Sequence, residues 1–92
     1  MPQIFKIGSY VIYFWSNEGE PSEPVHVHVS NGSPTPHGTK IWITKSHRCI
    51  VAHNKSKIPM HILNDIISVI EVQADLICAK WKEHFESINF YC

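Results

Sequence analysis

Two histidines separated by a single residue, His26 and His28, lie within the run Val25-His26-Val27-His28-Val29. Alternate side chains of an extended strand point to the same side, so the three valines share one face and the two imidazoles share the other. An imidazole pair placed this way can supply two ligands to a divalent metal, or an acid and a base for proton transfer. Glu23 is the carboxylate best placed to complete a metal set with them, with Glu20, His37 and His53 as further donors if folding brings them near. The same spacing equally suits histidines that only hydrogen-bond within the fold, the plainer reading of such a pair.

A second chemistry comes from the middle of the chain, where Lys40, Lys45, Arg48, Lys55 and Lys57 gather around Trp42 and His47. Cations hold phosphates and an exposed aromatic ring stacks on an unpaired base, so this stretch is the candidate nucleic-acid-binding region. Trp42, set among apolar residues, reads first as core or interface. If His26 and His28 act as an acid/base pair, Lys40 or Arg48 is placed to stabilise a phosphoryl transition state, a ribonuclease-like scheme. The chain as a whole has no strong field for nucleic acid or membrane, since its 8 Lys and Arg balance its 8 Asp and Glu.

Other chemistries fare worse. Cys49 has His47 two residues away, which on a strand shares its face without providing the hydrogen bond a thiolate nucleophile requires. Cys49, Cys78 and Cys92 are odd in number and lack the close spacing of a zinc or redox motif, so they read as free thiols in a reducing cytosol. Scattered glycines form no phosphate loop or dinucleotide fingerprint, and no cofactor is required. A basic start followed by an apolar run is missing, as is an uncharged apolar stretch of about 18 residues, so neither a leader nor a membrane span is expected.

The elements that must position these groups follow from pattern. With 92 residues, 43% of them apolar, one domain over 1–92 is expected: mainly strands and loops over 1–54, helical over 59–87. Strands are predicted at 4–7 and 10–15 around Gly8-Ser9, at 25–29 and at 39–44, with a short edge strand at 49–52. Residues 16–24, with Asn, Gly, Pro and Glu, read as an exposed loop, and 31–36 with two prolines cannot continue a central strand. A helix is predicted from about Pro59, capped by Ser56 or a neighbour, with Ile62, Leu63, Ile66, Ile67 and Ile70 as its apolar stripe. Ala74, Ile77, Cys78, Trp81 and Phe85 extend that stripe, and a break is expected near 72–74 because one helix to Ser87 would be long for this size. The apolar end 88–92 is expected to dock on the domain or on a partner.

In order along the chain, Met1, Pro2, Ile4 and Phe5, then Ser16, Asn17, Glu18 and Gly19, then Glu23, Pro24, His26, Val27, His28 and Val29 form a recognisable series. Lys40, Ile41 and Trp42, and finally Trp81 and Phe85, complete it. In these positions the chain resembles the domain-of-unknown-function family numbered 4160 (DUF4160), small bacterial proteins, over almost its whole length. The resemblance implies a compact α+β fold, here a small antiparallel sheet of three to five strands packed against one or two C-terminal helices. It also implies a place beside a second small protein in pairs similar to toxin–antitoxin systems, without implying a reaction. The alternating histidines are similar to part of the histidine-triad nucleotide hydrolase signature too, but Ser30 stands where a third histidine is required.

The leading expectation is therefore a cytoplasmic protein-binding component of a toxin–antitoxin-like pair, acting as a homodimer or with a small cognate partner. The alternative is an RNA-binding or RNA-processing protein using His26 and His28, with a divalent metal held by those two residues and Glu23 as a variant of it.

Overall fold

The computed structural model describes residues 3–15 and 23–92. Most of the loop expected at 16–24, with Glu18, Glu20 and the series Ser16 to Gly19, lies outside the described residues, as do Met1 and Pro2. Five strands, β1 (Gln3–Ile7), β2 (Tyr10–Tyr13), β3 (His26–Asn31), β4 (Thr39–Ile43) and β5 (Cys49–His53), are followed by helices α1 (Met60–Val72) and α2 (Ala74–Phe85). The strands pair in chain order as one antiparallel sheet, β1-β2-β3-β4-β5. This is the α+β arrangement the pattern predicts.

Ile7 pairs with Tyr10 across Gly8 and Ser9, and Gly8 supplies the positive φ of 59° that so short a reversal demands. β2 stops two residues earlier than the alternation suggests. Its ladder with β3 ends at Tyr13 opposite His28, so Phe14 and Trp15 leave the sheet.

One face carries Ile12, Val27, Val29, Ile41 and Ile43, and Phe14 and Val25 join the same core from just beyond the strand ends, all buried. The helices cover it with Leu63, Ile66 and Ile70 from α1 and Ala74, Ile77 and Trp81 from α2. Steps of three and four residues, from Leu63 through to Trp81, keep these side chains on one stripe. Gln73, with φ −97° and ψ 12°, separates the two helices where the break was expected, and Ala74 resumes the stripe four residues after Ile70.

The start of α1 differs in detail from the sequence reading. Pro59 is the N-cap, and no side chain caps the helix. Ser56 turns the other way: its hydroxyl donates to the carbonyl of His37 at 3.0 Å. Asn54 instead organises the turn, accepting from Ile58 N–H at 3.0 Å and from the Thr39 hydroxyl at 2.6 Å, while its amide donates to the Ile58 carbonyl. These bonds tie the start of β4 to the connection between β5 and α1.

The apolar C-terminal segment docks, as one of its two expected roles requires. Val25 N–H donates to the Asn89 carbonyl and Lys45 N–H to that of Cys92, and Tyr91 stacks on Trp42 at 5.0 Å and 5°. No helix among the described residues is long and apolar enough to cross a membrane.

Candidate functional site

The second face of the sheet carries the chemistry. Residues directly opposite one another in an antiparallel ladder share a face and place their Cβ atoms about 5 Å apart. The registers Tyr13 to His28, His28 to Lys40 and Lys40 to His53 therefore line up four polar side chains in a row across β2, β3, β4 and β5. His26, Trp42 and Ile50 form the neighbouring row.

His26 is fully enclosed, at 0% exposure. Its Nδ1 lies 2.9 Å from the Pro24 carbonyl, and a carbonyl only accepts, so that nitrogen carries a proton. The rings of His28, Trp42 and Trp81 lie around it at 5.1, 5.4 and 5.1 Å. Trp81 reaches it because β2 has already parted from β3 at that level. His28 is nearly as buried, with the Tyr13 ring stacked 5.5 Å away.

Tyr13 holds this face to the connection between β3 and β4. Its hydroxyl donates to the Thr35 carbonyl at 2.6 Å and accepts from the Thr35 N–H at 3.1 Å. Gly38 makes room for it: a Cβ there would overlap the Tyr13 hydroxyl and press on the His28 Cβ at 3.2 Å. Neither residue was singled out as a site residue from sequence. The alternation of Val11, Tyr13 and Trp15 was the signal that β2 had a second working face; nothing local marks Gly38.

Lys40 is pinned between two partners. Its Nζ donates to Glu23 Oε1 at 2.6 Å and sits 4.3 Å from the centre of the Trp42 ring. One carboxylate oxygen of the candidate metal ligand Glu23 is thus engaged by a lysine. Among the described residues, no group of three His, Cys, Asp or Glu side chains is placed to hold a metal ion.

At the end of the row, His53 is partly buried. Its Nδ1 is enclosed and makes no hydrogen bond. Burial, and then the charges of Lys55, His28 and Lys40, hold its pKa below the ordinary histidine value, with its own backbone acting weakly the other way.

The five basic residues do not form one patch. Lys45 and Arg48 belong to the turn before β5, and Lys55 and Lys57 to the turn after it, about 15 Å apart along a five-residue strand. Lys40 lies inside the polar row. Arg48 Nε is 3.3 Å from Glu71 Oε2, and the same oxygen accepts the Cys49 N–H at 3.0 Å.

The Cys49 thiol is a poor nucleophile here. Burial, with the Glu71 carboxylate, pushes it up to about 12, against a smaller opposing effect of Arg48. His47 turns away to Asp75, 3.1 Å from its Oδ1.

β5 is one of the two sheet edges, β1 being the other, and Ile50 and Val51 are exposed there at 39% and 38%. The Cys49–Glu71 bond joins the start of this strand to the end of α1. Ile50 and Val51 lie within two residues of one side of that link, and exposed Val69 and Val72 within two residues of the other. Since Lys40 opposes His53 while Ile41 opposes Val51, Ala52 is the extra residue of a β-bulge.

A family model described as Domain of unknown function (DUF4160) matches residues 9–82, from the start of β2 into α2. No curated protein and no solved structure matches the chain.

Proposed function

The chain belongs to the DUF4160 family, and from that premise and the exposed β5 edge we propose that it is the protein-binding component of a toxin–antitoxin-like pair in a bacterial cytoplasm. The observation that carries this reading is the exposed β5 edge, with Ile50 exposed on the face of Trp42 and Val51 exposed on the face of Ile41. An edge strand offers backbone hydrogen bonds as well as side chains to an incoming extended segment. The Ala52 bulge and the bonded Cys49 N–H keep the contact short, which favours a specific partner over sheet extension.

Charge decides between a second copy and a different chain. β5 itself carries no Lys, Arg, Asp or Glu, but exposed Lys45 precedes it and exposed Lys55 and Lys57 follow it. Two β5 strands paired edge to edge would bring cations against cations in either direction, so the fitting occupant is a short apolar segment of a small cognate protein with carboxylates at both ends.

The test is Val51→Lys in the chain co-expressed with the product of its neighbouring reading frame. The variant is expected to fold with stability changed by no more than about 0.5 kcal/mol, because the site is exposed, and to lose the complex. Retention of the complex by the folded variant would remove this reading.

A second reading, RNA binding or processing on the polar face, is favoured by one observation: His28 and Lys40 stand directly opposite each other. With His26 enclosed and His28 nearly so, substrate contact in that reading falls to Lys40, and the two histidines serve to position it. His28→Ala, still folded yet inactive on an RNA that the wild type cleaves, is the result it requires.

A further inference from the structure

We propose that the outer flank of α1 and α2 is a self-complementary surface on which a second copy of this chain docks, its helices antiparallel to the first. Asp65, Val69, Val72, Leu76 and Lys80, all exposed, follow one another in steps of three or four residues and so stay in line along one side of the helix pair. Gln73 N–H donates to the Val69 carbonyl at 3.0 Å and Ile77 N–H to the Gln73 carbonyl at 3.1 Å, and these bonds carry the helical phase through the break.

This stripe is separate from the one the sheet uses. With 3.6 residues per turn, it lies roughly 120° around the helix from the buried line through Ile70, Ala74 and Ile77. Glu71 and Asp75, which bond to Cys49 and His47 beside β5, fall on the other flank, so β5 and this stripe can be occupied at once. Its three apolar members face water, with Val72 81% exposed and Leu76 42% exposed. A helix flank that stays in water ordinarily carries polar residues there.

Charge selects the occupant. Asp65 and Lys80 stand at the two ends of the apolar stripe, equally far from the step between Val72 and Gln73. A two-fold axis at that step sets Asp65 opposite the partner's Lys80 and Val69 opposite the partner's Leu76, each contact being made twice. Parallel helices would instead set Asp65 against the partner's Asp65 and Lys80 against the partner's Lys80. Three apolar residues per copy fall short of the about 800 Å² per partner of a lasting complex, so the dimer is weak, with Kd on the order of 100 µM. In the low-micromolar range the chain alone is a monomer.

The experiment is sedimentation equilibrium of the full chain from about 10 µM to about 1 mM, with reductant present because Cys92 is exposed. A reversible monomer–dimer equilibrium is expected. Asp65→Lys and Lys80→Asp alter exposed positions and leave the fold intact. Each places like charges at both facing pairs and should weaken the dimer about tenfold. An equimolar mixture of the two variants should recover the wild-type affinity, because every facing pair is again opposite in charge. Val51→Lys, on β5, should leave the dimer unchanged. A wild type that stays monomeric throughout, a mixture no tighter than either variant alone, or a dimer lost in Val51→Lys and kept in Asp65→Lys would overturn the proposal.

Discussion

Tyr13 is fully buried yet polar, and its hydroxyl is satisfied twice by Thr35. Tyr13→Phe strands the Thr35 N–H, while the Thr35 carbonyl keeps the Gly38 N–H, and should cost about 1–2 kcal/mol, read as a lower midpoint in urea. Gly38→Ala pushes on the same hydroxyl and on His28, and should cost about 1–3 kcal/mol by overpacking. The two losses should not add, because both act through the Tyr13 ring. His53 gives a pH effect of defined sign. Its folded pKa lies below the ordinary 6.5, so the unfolded chain binds the proton more readily. Its contribution to stability is complete above about 6.5, falls as pH drops below that value, and levels off below the folded value. Denaturant melts from neutrality downward should therefore show a shallower acid loss in His53→Gln than in wild type. Burial first, and then Lys55, His28 and Lys40, set the size of this effect. Among the thiols, exposed Cys92 should react with a thiol reagent well before Cys49, which burial pushes to about 12, or Cys78, raised by burial and by Asp75.

Trp81 joins α2 to both sides of the sheet. It is 1% exposed and lies 5.1 Å from Phe14, 5.1 Å from His26 and 4.5 Å from Phe85. Trp81→Ala should cost about 3–5 kcal/mol and also loosen His26, so calorimetry and the His26 ring resonances should change together. The elements were largely legible. Alternating valines announced β3, Gly8-Ser9 announced the first hairpin, and the stripe from Leu63 to Trp81 announced both helices. Their meaning was less so. Period-two alternation placed the histidines opposite the valines, but it could not show that His26 would be sealed by Trp81 from a helix fifty-five residues away in sequence. Ser56 was a reasonable cap by residue type, yet Asn54 held the turn and Ser56 found backbone acceptors in His37 and Val29.

At the scale of the molecule, the sheet divides its labour. One face is dry core under two helices, the other a polar row with aromatic cover, and the β5 edge is left apolar between two basic turns. The basic residues read from sequence as one region are split by β5, with Lys45 and Arg48 before it, Lys55 and Lys57 after it, and Lys40 inside the polar row. Whether β5 receives a partner is measured most directly by hydrogen exchange at residues 49–53, with and without the product of the neighbouring reading frame. Slowed exchange at Ile50 and Val51 in the mixture, with the chain alone sedimenting as a monomer, is the predicted result. Unchanged exchange across β5 in a mixture that forms a complex would contradict the account.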